Sequence, residues 1–144
     1  MITRPIILIE DDIDDKNFFE EAFKDVDIPN PLLCFDNCND ALTHIKNSAE
    51  IPFLILCDIN LPKQSGLELK RYIDKDEKLK SKIIPFVFYT TTSNRDYINE
   101  AYKELTVQGF FQKSHDFEET KKDIKLIVDY WAKCLHPNSK TLYV

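Results

Sequence analysis

Hydrophobic and polar positions along the chain change their period repeatedly. Short runs of branched and aromatic residues (Ile6 to Ile9, Leu32 to Phe35, Phe53 to Cys57, Ile84 to Tyr89 and Gly109 to Gln112) alternate with longer stretches in which apolar residues return every three or four positions. Most of the short runs are continuously apolar, the pattern of parallel strands covered on both faces. The longer stretches predict helices over 13–25, 39–48, 66–76, 94–105 and 117–135. Ser65-x-x-Glu68 and Ser93-x-x-Asp96 supply N-terminal capping signals for two of them. Pro29, Pro31, Pro52, Pro62 and Pro85 fall in connections or at strand starts, where a missing N–H does no harm. This rhythm predicts an α/β protein: a five-stranded, doubly wound parallel sheet flanked by five helices, with right-handed crossovers.

The last helix places Phe117, Ile124, Ile127, Val128, Trp131 and Leu135 on a broad core stripe, with Leu126 and Tyr130 off it. Together with Tyr97 or Tyr102 of the preceding helix, these two could form an apolar patch for a partner or a second copy, a homodimer through the last two helices and strand.

Composition narrows the function classes. A chain of 144 residues holds one ordinary domain, expected over 1–136 with a short polar tail at 137–144. No apolar run approaches the ~20 residues of a membrane span, and Glu10, Asp11 and Asp12 stop the first apolar run too early for a secretory leader. The cytoplasm is the expected location. A formal net charge of −6 without a basic run argues against direct nucleic-acid binding and for protein partners. Cys34, Cys38, Cys57 and Cys134 form no C-x-x-C pair and read as buried thiols; Cys34, Cys38 and His44 match no zinc spacing.

In an open α/β sheet, ligands sit beyond the carboxyl ends of the strands. The first strand ends in Glu10-Asp11-Asp12, the third in Asp58, the fourth in Thr90-Thr91-Thr92, and the fifth runs into Lys113. Each has a plain structural reading, as an acidic helix start, a cap, a strand end or a solvated lysine; their convergence on one rim is what points to chemistry. Carboxylates gathered there repel by about 1 kcal/mol per pair in water and more in a drier pocket, so positive charge must join them. Lys113 supplies one charge, and a divalent cation with hard oxygen ligands, Mg²⁺ or Mn²⁺, suits the rest, with the backbone carbonyl of Asn60 as a neutral ligand. No Ser–His–Asp set is present, and a chain with two glycines has neither a P-loop nor a dinucleotide fingerprint. What remains is Asp58 as the group modified, a carboxylate that attacks a phosphoryl centre.

The stretches "IILIEDD", "LILCDINLPKQSGLEL", "IPFVFYTTTSN" and "GFFQKS" resemble, in order and interval, the response-regulator receiver domains of two-component signalling. The resemblance covers nearly the whole chain and implies the flavodoxin-like strand order 2-1-3-4-5. It implies that Asp58 is the phosphoacceptor and that Glu10, Asp11, Asp58 and the Asn60 carbonyl hold the metal. Thr90, Phe110 and Lys113 become the switch and phosphate-binding residues, Asn60 and Thr92 tune dephosphorylation, and Asp12 is a bystander. The implied protein is a signalling module, not an enzyme: it takes its phosphoryl group from a sensor histidine kinase or phosphotransfer protein and acts by protein contact. "TTTSN" and the aromatic last helix resemble regulators that partner phytochrome-type kinases. Ser114 departs from the family's usual proline, so the cis peptide expected after the lysine should be missing, and Phe110 stands where tyrosine is common. Two other readings compete: a receiver-fold interaction module independent of phosphate, and a Mg²⁺-dependent phosphohydrolase, whose chemistry wants a carboxylate where Asn60 stands.

Overall fold

Strands β1 (Ile6–Ile9), β3 (Leu54–Cys57) and β4 (Phe86–Thr90) are buried along their whole length, so a sheet with these three at its centre must be covered on both sides. A computed structural model, which describes residues 4–134, has this arrangement. All pairings are parallel and the order is β2-β1-β3-β4-β5, with β2 (Leu32–Phe35) and β5 (Phe110–Gln112) at the edges. The expected sheet and its order are both present.

Side chains alternate across a strand, so each strand feeds both layers. Ile7, Ile9, Ile55, Cys57, Phe86 and Phe88 face one layer, where they meet Ala41 and Ile45 of α2 (Cys38–Asn47), Leu69 of α3 (Gly66–Lys75), Leu79 of α4 (Glu77–Lys80) and Ala101 of α5 (Arg95–Glu104). Ile6, Leu8, Leu54, Leu56, Val87 and Tyr89 face the other, against Phe19, Ala22 and Phe23 of α1 (Ile13–Val26) and Ile124, Ile127 and Val128 of α6 (Phe117–Lys133). Ile7 is fully buried and flanked by Leu33 and Ile55, so Ile7→Val is expected to cost about 1 kcal/mol, read as a lower urea midpoint with an unchanged slope.

Among the described residues six helices stand where five were expected. Asp76, in an extended conformation, ends α3, and its carboxylate accepts the Leu79 amide at 3.0 Å, starting the short α4 that drives Leu79 into the core. Its four residues are too few to show a helical period. Ser65 caps α3 as expected, accepting from Glu68 N at 3.2 Å. Ser93 does not cap α5: the Thr92 hydroxyl accepts the Asn94 amide at 3.2 Å, and the Asn94 side chain then takes the Asp96 amide at 2.9 Å. The cap thus falls one residue later, on a side chain at least as good for the purpose.

On α6, Phe117 and Trp131 are partly buried beside the buried stripe, while Leu126 and Tyr130 are each 60 % exposed. Leu135, the boundary at 136 and the tail lie outside the described residues. The thiols are less uniformly buried than expected: Cys38 and Cys57 are enclosed, but Cys34 on edge strand β2 and Cys134 after α6 are only partly covered, and all four are free. No helix among the described residues is long and apolar enough to cross a membrane.

Candidate functional site

The sheet ladder continues one residue beyond three strands and so fixes the backbone of the residues that matter. Glu10 N donates to Phe35 O at 2.9 Å, Asp58 N to Ile9 O at 3.0 Å and Lys113 N to Thr90 O at 2.8 Å. Their side chains turn to one point on the rim. The Lys113 ammonium lies 3.0 Å from Asp58 Oδ2 and 3.2 Å from Asp15 Oδ2, and it is in close contact with Glu10 Oε1. The other Asp58 oxygen accepts the Ile59 amide at 2.7 Å, and Glu10 Oε2 accepts Asp12 N at 3.2 Å. Glu10 and Asp58 are only 4 % and 6 % exposed, so this charge sits largely out of water.

Glu10, Asp11 and Asp58 each offer a carboxylate oxygen within 4.8 Å of the others, with Asp11 exposed at the mouth. Three hard oxygen donors, one of them open to solvent, fit a small divalent cation such as Mg²⁺ or Mn²⁺ rather than a thiolate-seeking metal. Cys34, Cys38 and His44 form no such group among the described residues. Asp12 belongs to the helix: its carboxylate caps α1 by accepting Asp15 N at 3.0 Å.

The remaining candidates surround this centre. Thr90 is fully buried, and its hydroxyl accepts the Thr92 amide at 3.4 Å. Thr92 passes the contact on to Asn94, so a chain of side-chain bonds links the end of β4 to the start of α5. Phe110 is partly buried, its ring 5.8 Å from that of Phe88, and Asn60 is exposed in the turn after Asp58. No described peptide bond is cis, as Ser114 led one to expect. Ser114 instead shapes the turn into α6: its hydroxyl accepts Asp116 N at 3.0 Å and its carbonyl the Thr120 hydroxyl at 3.3 Å.

Two residues escaped the sequence reading. Asp15 is the third carboxylate on Lys113; its signal is the one-turn spacing from Asp11 on the acidic start of α1. Gly66 is pressed against the site, since a Cβ there would lie 2.1 Å from the Asp58 carbonyl oxygen. One of two glycines in the chain, placed directly after a capping serine, was the available hint.

Burial pushes the Glu10 carboxyl up to about 7 although Lys113 works to hold it down. Burial pulls the Lys113 ammonium the other way, but the Glu10 bond and the Asp58 charge outweigh it and raise its pKa above the ordinary lysine value. A cation at Glu10 must displace its proton, so below about pH 7 metal affinity is expected to fall by up to about tenfold per pH unit. Melting temperature against MgCl₂ at about pH 8 and about pH 6 checks this: the stabilisation should be larger at the higher pH. The metal-free protein should show the opposite sign from Glu10, whose raised folded value favours folding at low pH and loses that contribution as pH rises from about 4.5 to about 7.

Residues 6–125 match the family model described as the response regulator receiver domain. The chain belongs to that family. This receiver is 31 % identical over 133 residues to the response regulator Rcp1 of Synechocystis sp., covering 89 % of this chain and 88 % of the relative. It superposes on the phosphorylated cyanobacterial phytochrome response regulator RcpA with a TM-score of 0.80 at 29 % identity, covering 92 % of the receiver and 96 % of that chain. The Mn²⁺-bound form of Rcp1 gives a TM-score of 0.77 at 30 % identity, with the same coverage of 92 % and 96 %.

Proposed function

We propose that this receiver accepts a phosphoryl group on Asp58 from a sensor histidine kinase or phosphotransfer protein, with Mg²⁺ or Mn²⁺, and signals by protein contact. The observation that carries the reading is a buried aspartate held between a lysine ammonium at 3.0 Å and two further carboxylates able to share a cation with it. An Asp58 oxygen attacks phosphorus as the P–N bond of the donor's phosphohistidine breaks; with a proton on the ring's other nitrogen, the electron pair of that bond leaves on a neutral imidazole and the receiver keeps an acyl phosphate. Lys113 pairs with a phosphoryl oxygen where charge builds up. Glu10, Asp11, Asp58 and the Asn60 carbonyl would hold the cation, which would offset the charge of the incoming dianion.

The added charge on Asp58 draws the Thr90 hydroxyl away from Thr92 and rearranges the face around Phe110, which biases the receiver toward a second packing. Asn60 and Thr92, each two residues past a site position, tune the lifetime of the acyl phosphate. Output goes to a protein, in the cytoplasm, and Leu126 and Tyr130 with Tyr97 or Tyr102 give a second copy an apolar surface through α5, β5 and α6. The similarity to Rcp1 and RcpA supports a phytochrome-type kinase as the donor. Incubation with such a kinase and ATP should label the receiver within seconds, and EDTA should abolish the label. No Asp58-dependent label, from either the kinase or acetyl phosphate, would leave a phosphate-independent interaction module; turnover of small phosphate esters would revive the hydrolase.

A further inference from the structure

An ammonium has three hydrogens, and Lys113 points one carboxylate at each: Glu10, Asp58 and Asp15. The ammonium therefore has no free donor for a new acceptor. A phosphoryl oxygen can be gripped only if one of the three lets go, and the three are not equal. Glu10 is buried, its side chain 3 % exposed, and it belongs to the carboxylate cluster. Asp58 is the group that carries the phosphoryl. Asp15 lies farther off than Asp58, at 3.2 Å against 3.0 Å, and its side chain is 36 % exposed, so water can replace the lysine at low cost. It also lines a cavity of about 290 Å³ with Phe18, His115 and Thr120 beside Lys113, room into which its carboxylate can turn.

We infer that Asp15 is a positioning residue that acts through Lys113: it occupies the third donor of the ammonium as a placeholder, and the phosphoryl group displaces it. The inference rests on the proposed phosphorylation of Asp58. Its consequence runs against the intuition for a residue beside a reactive centre. A supporting residue, when removed, weakens the site; a competitor, when removed, strengthens it. Asp15→Asn keeps the side chain's shape and the backbone N–H that Asp12 caps while taking away the charge that competes. The neutral amide would hold the lysine less tightly than the carboxylate does and would repel the phosphoryl dianion less.

The test is the affinity for fluoroberyllate, an acyl-phosphate mimic, in saturating MgCl₂, read by titration calorimetry, together with the half-life of the acetyl-phosphate-derived label. Asp15→Asn is expected to bind fluoroberyllate roughly two- to fivefold more tightly and to keep its label longer by a similar factor. Asp15→Glu should fall back toward wild type. In a Lys113→Ala background the gain should shrink to the small part that comes from reduced repulsion of the dianion, because the coupling between the two residues carries most of the effect. Weaker binding by Asp15→Asn, no change, or an undiminished effect without Lys113 overturns the inference. Failure of wild type to bind fluoroberyllate or to take label at all would instead strike the phosphorylation reading beneath it. The melting temperature of each variant identifies any loss that comes from unfolding.

Discussion

Asp58→Asn is expected to abolish covalent labelling by acetyl phosphate and by a donor kinase, a loss on the order of a hundredfold or more, while leaving the receiver folded. The amide nitrogen that replaces Oδ2 has its lone pair delocalised into the carbonyl and no negative charge, so it does not attack phosphorus. The remaining oxygen can still accept the Ile59 amide, now at 2.7 Å, and the backbone N–H still bonds to Ile9 O at 3.0 Å. Glu10 and Asp15 keep the ammonium of Lys113 paired. One of the mutually repelling carboxylates is gone, so metal-free stability should hold or rise slightly, and the Mg²⁺-induced rise in melting temperature should shrink because a ligand has been lost. Label counted by phosphate-affinity electrophoresis and melting by circular dichroism read the two effects separately. Persistent labelling of the variant would mean that a different residue accepts the phosphoryl group.

Much of this was legible in the chain because the fold and the residues gathered at the rim follow local rules. Buried parallel strands write themselves as continuous apolar runs, and β1 and β2 have the expected bounds of Ile6–Ile9 and Leu32–Phe35. The residues after β1, β3 and β5 converge because a parallel sheet brings its carboxyl ends to one edge, so Glu10, Asp58 and Lys113 could be grouped before any distance was known. What stayed hidden depends on geometry between elements. Asp15 looks like one more acid in a first helical turn that favours acids, and only the position of Lys113 across the rim gives it a different role. Helix α4 spans one turn and has no period to detect. The α5 cap falls one residue past its expected place because Ser93 and Asn94 are both good capping residues, and the choice between them is made by the Thr92 hydroxyl, whose bond to the Asn94 amide sets the turn.

Gly66 is the strongest case of a requirement imposed by a neighbour, and Gly66→Ala is expected to be the most destabilising change of a single methyl group in the receiver. The first turn of α3 lies so close to the end of β3 that a Cβ at this position would stand 2.1 Å from the Asp58 carbonyl oxygen and 3.1 Å from its carbon. Both are backbone atoms of the residue whose amide is tied to the sheet through Ile9 O, and the Cys57 sulfur, 3.0 Å away, closes the same space. No positive φ is involved, so glycine is required here for close approach and not for conformational freedom. The Gly66 amide adds its own tie to the strand end, donating to Ile59 O at 2.9 Å. Relief requires α3 to move away from the sheet or the Asp58 peptide to shift, at a cost of about 2–4 kcal/mol, toward the upper range for overpacking because no flexible side chain can give way. A shift of the Asp58 peptide also misplaces the carboxylate relative to Lys113, and a displacement of about 1 Å at a reacting group costs on the order of a hundredfold in rate. Labelling should therefore fall even at temperatures where the variant is folded. Gly109→Ala is the control: its added Cβ would meet Val87 and Phe111 side-chain atoms at 3.5–3.7 Å, ordinary contact distances, and should change stability by less than about 1 kcal/mol. Urea midpoints and labelling rates for the two variants, measured side by side, decide the matter, and similar behaviour of both would show that α3 is not held against Asp58 as described.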